Sequence, residues 1–168
     1  MVHPLITRVR EQDIDDVIKG FIDDLEWAVS ETKRRKIEHG FNICMEDGRV
    51  TRGDRCIGDK CKIHMKPCGD VQTLASVHTH PGGVLIPAPE DILHSWGAGE
   101  QFFCIANPRG MVRCWTMPDT EAFKLFVSLY FGGDRPEAQK LLLSDIVYKE
   151  EEIIKKVSEF NIKEVRRR

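Results

Sequence analysis

Ser76-Val77-His78-Thr79-His80-Pro81-Gly82-Gly83 is the stretch on which the reading of this chain turns. The apolar residues Leu74, Ala75 and Val77 predict a buried β-strand, and on a strand the side chains at i and i+2 share one face. His78 and His80 can therefore reach a single ion. Asp91 follows within the Glu90-Asp91 start of a predicted helix, after Pro87-Ala88-Pro89. A carboxylate at that helix N-terminus can swing back to the same point. The three residues are ligands of the kind zinc takes, with a fourth position left for water.

Upstream, Ile14, Val17, Ile18, Phe21, Ile22, Leu25 and Val29 recur at three- and four-residue spacing, which predicts an amphipathic helix over residues 11–36. Its acids come early and its bases late, in the order that suits the helix dipole. Residues 39–45 and 49–50 flank Glu46-Asp47-Gly48, a hairpin signal. Glu38 thus stands where the first helix hands over to the first strand, and Glu46 is a second, weaker carboxylate at the hairpin. Residues 51–70, rich in Gly, Asp, Lys and Cys, read as a loop or a short irregular strand.

Downstream, residues 92–96 continue the helix begun at Glu90, ended by Gly97-Ala98-Gly99. Asn107-Pro108-Arg109-Gly110 suits a turn between two further strands. Residues 119–130 read as a helix, and residues 136–165 as a C-terminal helical extension carrying Leu142, Ile146, Ile153, Val157 and Phe160 on one stripe. Packing on the sheet explains that stripe most simply, and a homodimer contact is the sharper reading. The assembled pattern is α/β, a single domain with a mixed sheet and flanking helices, with residues 38–131 as its metal-site core.

These residues resemble the JAMM (MPN-plus) zinc metalloproteases, relatives of the deubiquitinating subunit of the proteasome lid. The family pattern is an upstream Glu, then His-x-His-Pro and, after a spacer, Ser-x-x-Asp. Here His78-Thr79-His80-Pro81 and Asp91 match it, and Ala88 occupies the serine position. The resemblance implies a cytidine-deaminase-like architecture, and hydrolysis of an amide or isopeptide bond with Zn2+ held by His78, His80 and Asp91. Glu38 would be the general acid and base. It further implies as substrate the C-terminal diglycine tail of a ubiquitin-like or sulfur-carrier protein. The family serine donates to the developing oxyanion, so Ala88 leaves three readings open: a slow peptidase, another donor such as Ser95 or Ser76, or a metal kept for a different reaction. A non-catalytic scaffold that binds ubiquitin-like partners, and a zinc hydrolase acting on a small molecule, remain as alternatives.

A chain of 168 residues is enough for one domain with a sizeable core. A net charge of -2 supplies no global attraction to nucleic acid, and the local basic clusters at residues 33–36 and 166–168 read as solvated helix ends. No stretch approaches the length needed to cross a bilayer, and no basic n-region precedes a long apolar run, so a cytoplasmic location is expected. Cys56, Cys61 and Cys68, with His64 between them, form a crowded group. Their spacing lacks a tight Cys-x-x-Cys knuckle, which favours thiols over a second metal site.

Overall fold

Strand β3 (Gln72–Thr79) lies inside a six-stranded sheet of order β2-β1-β3-β4-β5-β6, and its alternation assigns the chemistry to one face. The computed structural model describes residues 11–63, 68–142 and 154–166. Ahead of β3 come helices α1 (Glu11–Lys19) and α2 (Ile22–Arg35), strands β1 (His39–Glu46) and β2 (Arg49–Ile57), and a short helix α3 (Lys60–Ile63). After it come α4 (Pro89–Gly97), β4 (Phe102–Ala106), β5 (Met111–Thr116), α5 (Thr120–Phe131), α6 (Arg135–Leu142), β6 (Lys155–Asn161) and α7 (Ile162–Arg166). The sheet is mixed: β3 and β4 run parallel, and every other neighbouring pair is antiparallel. The crossover between β3 and β4 carries α4, as a parallel pair requires.

Two apolar layers cover the sheet. Ile14, Ile18 and Leu25 of α1 and α2 pack with Phe41, Val77, Phe102 and Cys104 on one face. Ile92, Phe126 and Leu142 pack with Phe103, Ile105 and Trp115 on the other. Successive residues of β4 therefore serve opposite cores, as the two-residue repeat of a strand demands. By the same alternation Val77 and Thr79 of β3 face α2, while Ser76, His78 and His80 face α4.

The predicted helix over residues 11–36 is two helices. Its interruption falls at Gly20-Phe21, where the Gly20 N–H bonds back to the Asp16 and Val17 carbonyls and glycine has little tendency to continue a helix. The predicted Asp47-Gly48 hairpin is present, with φ values of 50° and 77° as a two-residue hairpin turn requires. Beyond it β2 runs to Ile57, well into the segment read as a loop or a short irregular strand. Most of β2 is exposed at the sheet's edge, so it lacks the apolar alternation that would have announced it.

The C-terminal extension differs more. Helix α6 covers Arg135–Leu142, residues 143–153, with Ile146 and Ile153, lie outside the described residues, and Lys155–Asn161 forms an edge strand rather than a helix. Ser158 and Phe160 alternate toward the α1 face, where Phe160 joins the core and the Ser158 hydroxyl donates to Asp15. Glu159 pairs with Arg113 directly across the ladder at 2.6 Å. A stripe as short as Val157 and Phe160 is also compatible with a strand, and the free edge of β5 decides between them.

The cysteines are oxidised in pairs: Cys44–Cys68, Cys56–Cys61 and Cys104–Cys114. Cys56 and Cys61, five positions apart, bond to each other instead of converging with Cys68 on one point, and a disulfide sulfur has no thiolate to offer a metal. His64 lies outside the described residues. Three disulfides are typical of oxidising compartments, or of intracellular proteins from hyperthermophiles. Among the described residues no helix is long and apolar enough to cross a membrane.

Candidate metal centre

His78 and His80 project from the C-terminal end of β3 toward α4, and the start of α4 supplies the third group. Pro89 occupies the first turn of α4, where its missing N–H costs nothing. Ala88 caps the helix and has no side-chain oxygen to offer the first turn. The Asp91 carboxylate instead reaches back, its Oδ2 accepting from the Ala88 N–H at 2.8 Å. That bond aims Asp91 at the strand. His78 Nε2 lies 3.4 Å from Asp91 Oδ1, and His80 Nε2 lies 3.6 Å from Asp91 Oδ2.

These separations suit an ion better than they suit the three side chains alone. Two ligands at about 2.0–2.1 Å from one tetrahedral ion stand about 3.4 Å apart. One ligand atom from each of His78, His80 and Asp91 falls within 4.8 Å of the others. His78 Nε2 is buried and has no hydrogen-bond partner among the described residues, a costly state for a polar atom unless something fills it. The other histidine is oriented: His80 Nδ1 lies 2.8 Å from the Val84 carbonyl oxygen, to which it donates, leaving Nε2 as the lone-pair face toward Asp91. The residues present therefore fit a metal ion.

At Asp91 the electrostatics point the same way, whereas at His78 they favour a proton that an ion would have to displace. Burial works to neutralise both His78 and Asp91, but their mutual attraction outweighs it. His78 is held above the usual imidazole value and Asp91 well below the usual carboxylate range, helped by His80 and the Ala88 N–H. A carboxylate kept ionised in a buried setting is what a dication needs.

Glu38 lines the same pocket, a hollow of about 80 Å³ that also takes in Ser76, Glu90, Ser95 and the Cys61 side of the disulfide. Its negative charge is felt at His78. The turn into β1 explains why it is there. His39 points to the opposite face, fully buried beside Trp27, with Nδ1 2.9 Å from the Ile37 carbonyl. The His39 N–H donates to Thr79 Oγ1 at 2.9 Å, and Thr79 Oγ1 lies 2.6 Å from Thr32 Oγ1. This clamp of α2, β1 and β3 fixes His39 on the helix side, so the residue before it turns to the metal side. Gly40 pairs with His78 in the ladder, and a Cβ there would stand 2.4 Å from the Val77 carbonyl oxygen. Glu46, at the far end of β1, is not among the residues lining this pocket.

Sequence reasoning passed over Glu100. It is 5% exposed and accepts a hydrogen bond from the Ser76 hydroxyl at 2.7 Å, with its second oxygen buried and unpartnered among the described residues. Burial pushes its carboxyl up to about 7, against the pull of the Ser76 and Ser95 hydroxyls and of His78. Nothing local in Gly99-Glu100-Gln101 distinguishes it from a solvated loop glutamate, since its burial depends on β3 and α4 closing over it.

Compared with models of protein families, with curated proteins and with solved structures, the chain finds no match in any of the three.

Proposed function

We propose that this chain is a metal-dependent amide or isopeptide hydrolase of the JAMM type, with zinc as its ion. The observation that carries the reading is that Glu38 lines the same buried pocket as His78 and Asp91, beside a histidine nitrogen left without a partner. The layering of helices on both faces of a mixed sheet is compatible with the cytidine-deaminase-like architecture that the resemblance implies.

In this reading His78, His80 and Asp91 hold the ion. When bound, zinc supplies Lewis-acid polarisation of the scissile carbonyl and lowers the pKa of water. Glu38 accepts the proton of the attacking water and returns it to the departing amine. Asp91, held by the Ala88 N–H, keeps its negative charge throughout. Ser76 and Ser95 both turn their hydroxyls toward Glu100, so neither is a ready replacement for the family's serine, and a slow reaction follows.

The substrate we assign is the extended C-terminal tail of a small ubiquitin-like or sulfur-carrier protein. Strand β1, which follows Glu38, is not a free edge, because β2 and β3 flank it. On that side of the sheet the edge strand is β2, to which a tail can add as a further strand.

The test is a ubiquitin-like domain with a C-terminal Gly-Gly fusion, incubated with zinc-loaded protein and analysed by mass spectrometry. Cleavage after the second glycine, abolished by a chelator and reduced about 10²- to 10⁴-fold by Glu38→Gln, is the expected result. Full metal loading with no cleavage would favour the scaffold reading, for which Ala88 is the specific observation.

A further inference from the structure

On the opposite face of the sheet from the metal centre, α2, α7 and the β4–β5 turn enclose a groove of about 810 Å³. Four cationic side chains line it: Lys33 and Lys36 from the end of α2, Arg109 from the turn, and Lys163 from α7. All four residues are exposed, and none has a carboxylate partner among the described residues. A fifth cation, Arg166, is already engaged by Glu26 and Asp23. Val29 and the buried Ile162 give the groove an apolar floor.

The helix dipole accounts for bases at the end of α2, where the last carbonyls are exposed. It does not account for Arg109 and Lys163, which arrive from two other elements at the same hollow. Convergence of like charges from three elements on a concave surface repels unless an anion fills it. The size falls in the range of ligand-binding clefts, far more than a single inorganic anion needs.

We propose that this groove is a docking site for an acidic peptide segment of a partner protein, its carboxylates meeting Lys33, Lys36, Arg109 and Lys163 and its apolar side chains lying on Val29 and Ile162. Nucleic acid fits less well. The lining has no aromatic side chain on which a base could stack, whereas Val29 and Ile162 offer apolar contact suited to a peptide side chain. The chain's own first ten residues bring Arg8 and Arg10 and no acidic side chain, so they match the groove poorly in charge. The turn that forms one wall is also tied to the metal loop, because the Asn107 side-chain amide donates to the Gly83 carbonyl at 3.1 Å. A partner docked here would lie beside the loop that follows His80.

Binding of this kind needs neither metal nor catalysis, so its test is separate from that of the hydrolase. A short fluorescent peptide of alternating glutamate and leucine is titrated with the full chain, and anisotropy is read. Saturable binding is expected, with affinity falling about tenfold or more in Lys33→Glu/Arg109→Glu and at high salt. A Lys124→Glu/Lys140→Glu variant, altered on α5 and α6, keeps wild-type affinity, and the peptide with glutamine in place of glutamate does not bind. Because all four substituted residues are exposed, the variants should retain the wild-type circular dichroism and melting temperature. Equal affinity in Lys33→Glu/Arg109→Glu and wild type, no binding of the acidic peptide, or tighter binding of a single-stranded oligonucleotide of equal charge would overturn the proposal.

Discussion

His78 Nε2 stands 3.4 Å from Asp91 Oδ1, within ion-pair range yet without a hydrogen bond between them. Two side chains free to satisfy each other would close that gap. Here each is held back by its own element: His78 by the β3 ladder, and Asp91 by its bond to the Ala88 N–H. The gap is the spacing that two ligands of one small ion adopt.

Gly40 keeps that geometry by letting β1 lie close against β3. A Cβ on Gly40 would meet the Val77 carbonyl oxygen at 2.4 Å and the His78 Cα at 3.2 Å, both backbone atoms that cannot turn aside. Gly40→Ala should therefore push the two strands apart beside His78. The expected outcome is a loss of about 1–3 kcal/mol in denaturant unfolding together with weaker metal binding. Wild-type stability and metal affinity in this variant would show that the strands have room to spare.

Glu100 makes stability depend on pH. Unfolded, its carboxyl titrates near 4.5, and folded it is pushed up to about 7 by burial. As pH rises between those values the unfolded chain gives up its proton while the folded chain keeps it, so the folded state loses stability, by on the order of 3 kcal/mol in all. Glu100→Gln retains an acceptor for Ser76 and removes the titration. The metal-free variant should gain stability relative to wild type as pH is raised from about 5 to about 8. Melting curves across that range test this, and a difference that does not change with pH would refute the burial effect.

Ala88 brings no hydroxyl to the N-cap of α4, while its backbone N–H still holds Asp91. Ala88→Ser keeps that N–H and adds a donor, which is also a preferred helix cap. If the reaction is acyl transfer, its rate on the Gly-Gly fusion should rise by up to about 10²- to 10³-fold with little change in melting temperature. A rate that stays the same or falls would mean that another donor serves, or that the chemistry is of another kind.

How far the chain could be read in advance follows from where each signal resides. The candidate metal ligands were legible because His78 and His80 obey the two-residue repeat of a strand, and Asp91 sits beside helix-start residues. Both are local rules. The hairpin at Asp47-Gly48 was legible for the same reason. Strand β6 was not, because a short apolar stripe fits helix and strand alike and the open edge of β5 settles it. The exposed strand β2 carries too little apolar alternation to announce itself. The cysteine pairing was equally hidden, since Cys44 and Cys68 come together only after β1 and the loop before β3 are in place. Glu100 needed two separate elements to bury it.

His78, His80 and Asp91 form a group that could hold one metal ion. Metal content of the purified chain, measured by inductively coupled plasma mass spectrometry under non-reducing conditions, addresses it most directly when wild type and His80→Ala are compared. The account predicts about one equivalent of zinc per chain in wild type and a small fraction of that in His80→Ala. It also predicts that added zinc raises the melting temperature of metal-stripped wild type alone, because binding to the folded state stabilises it. Equal metal in the two proteins, or none in either after incubation with zinc, would contradict it.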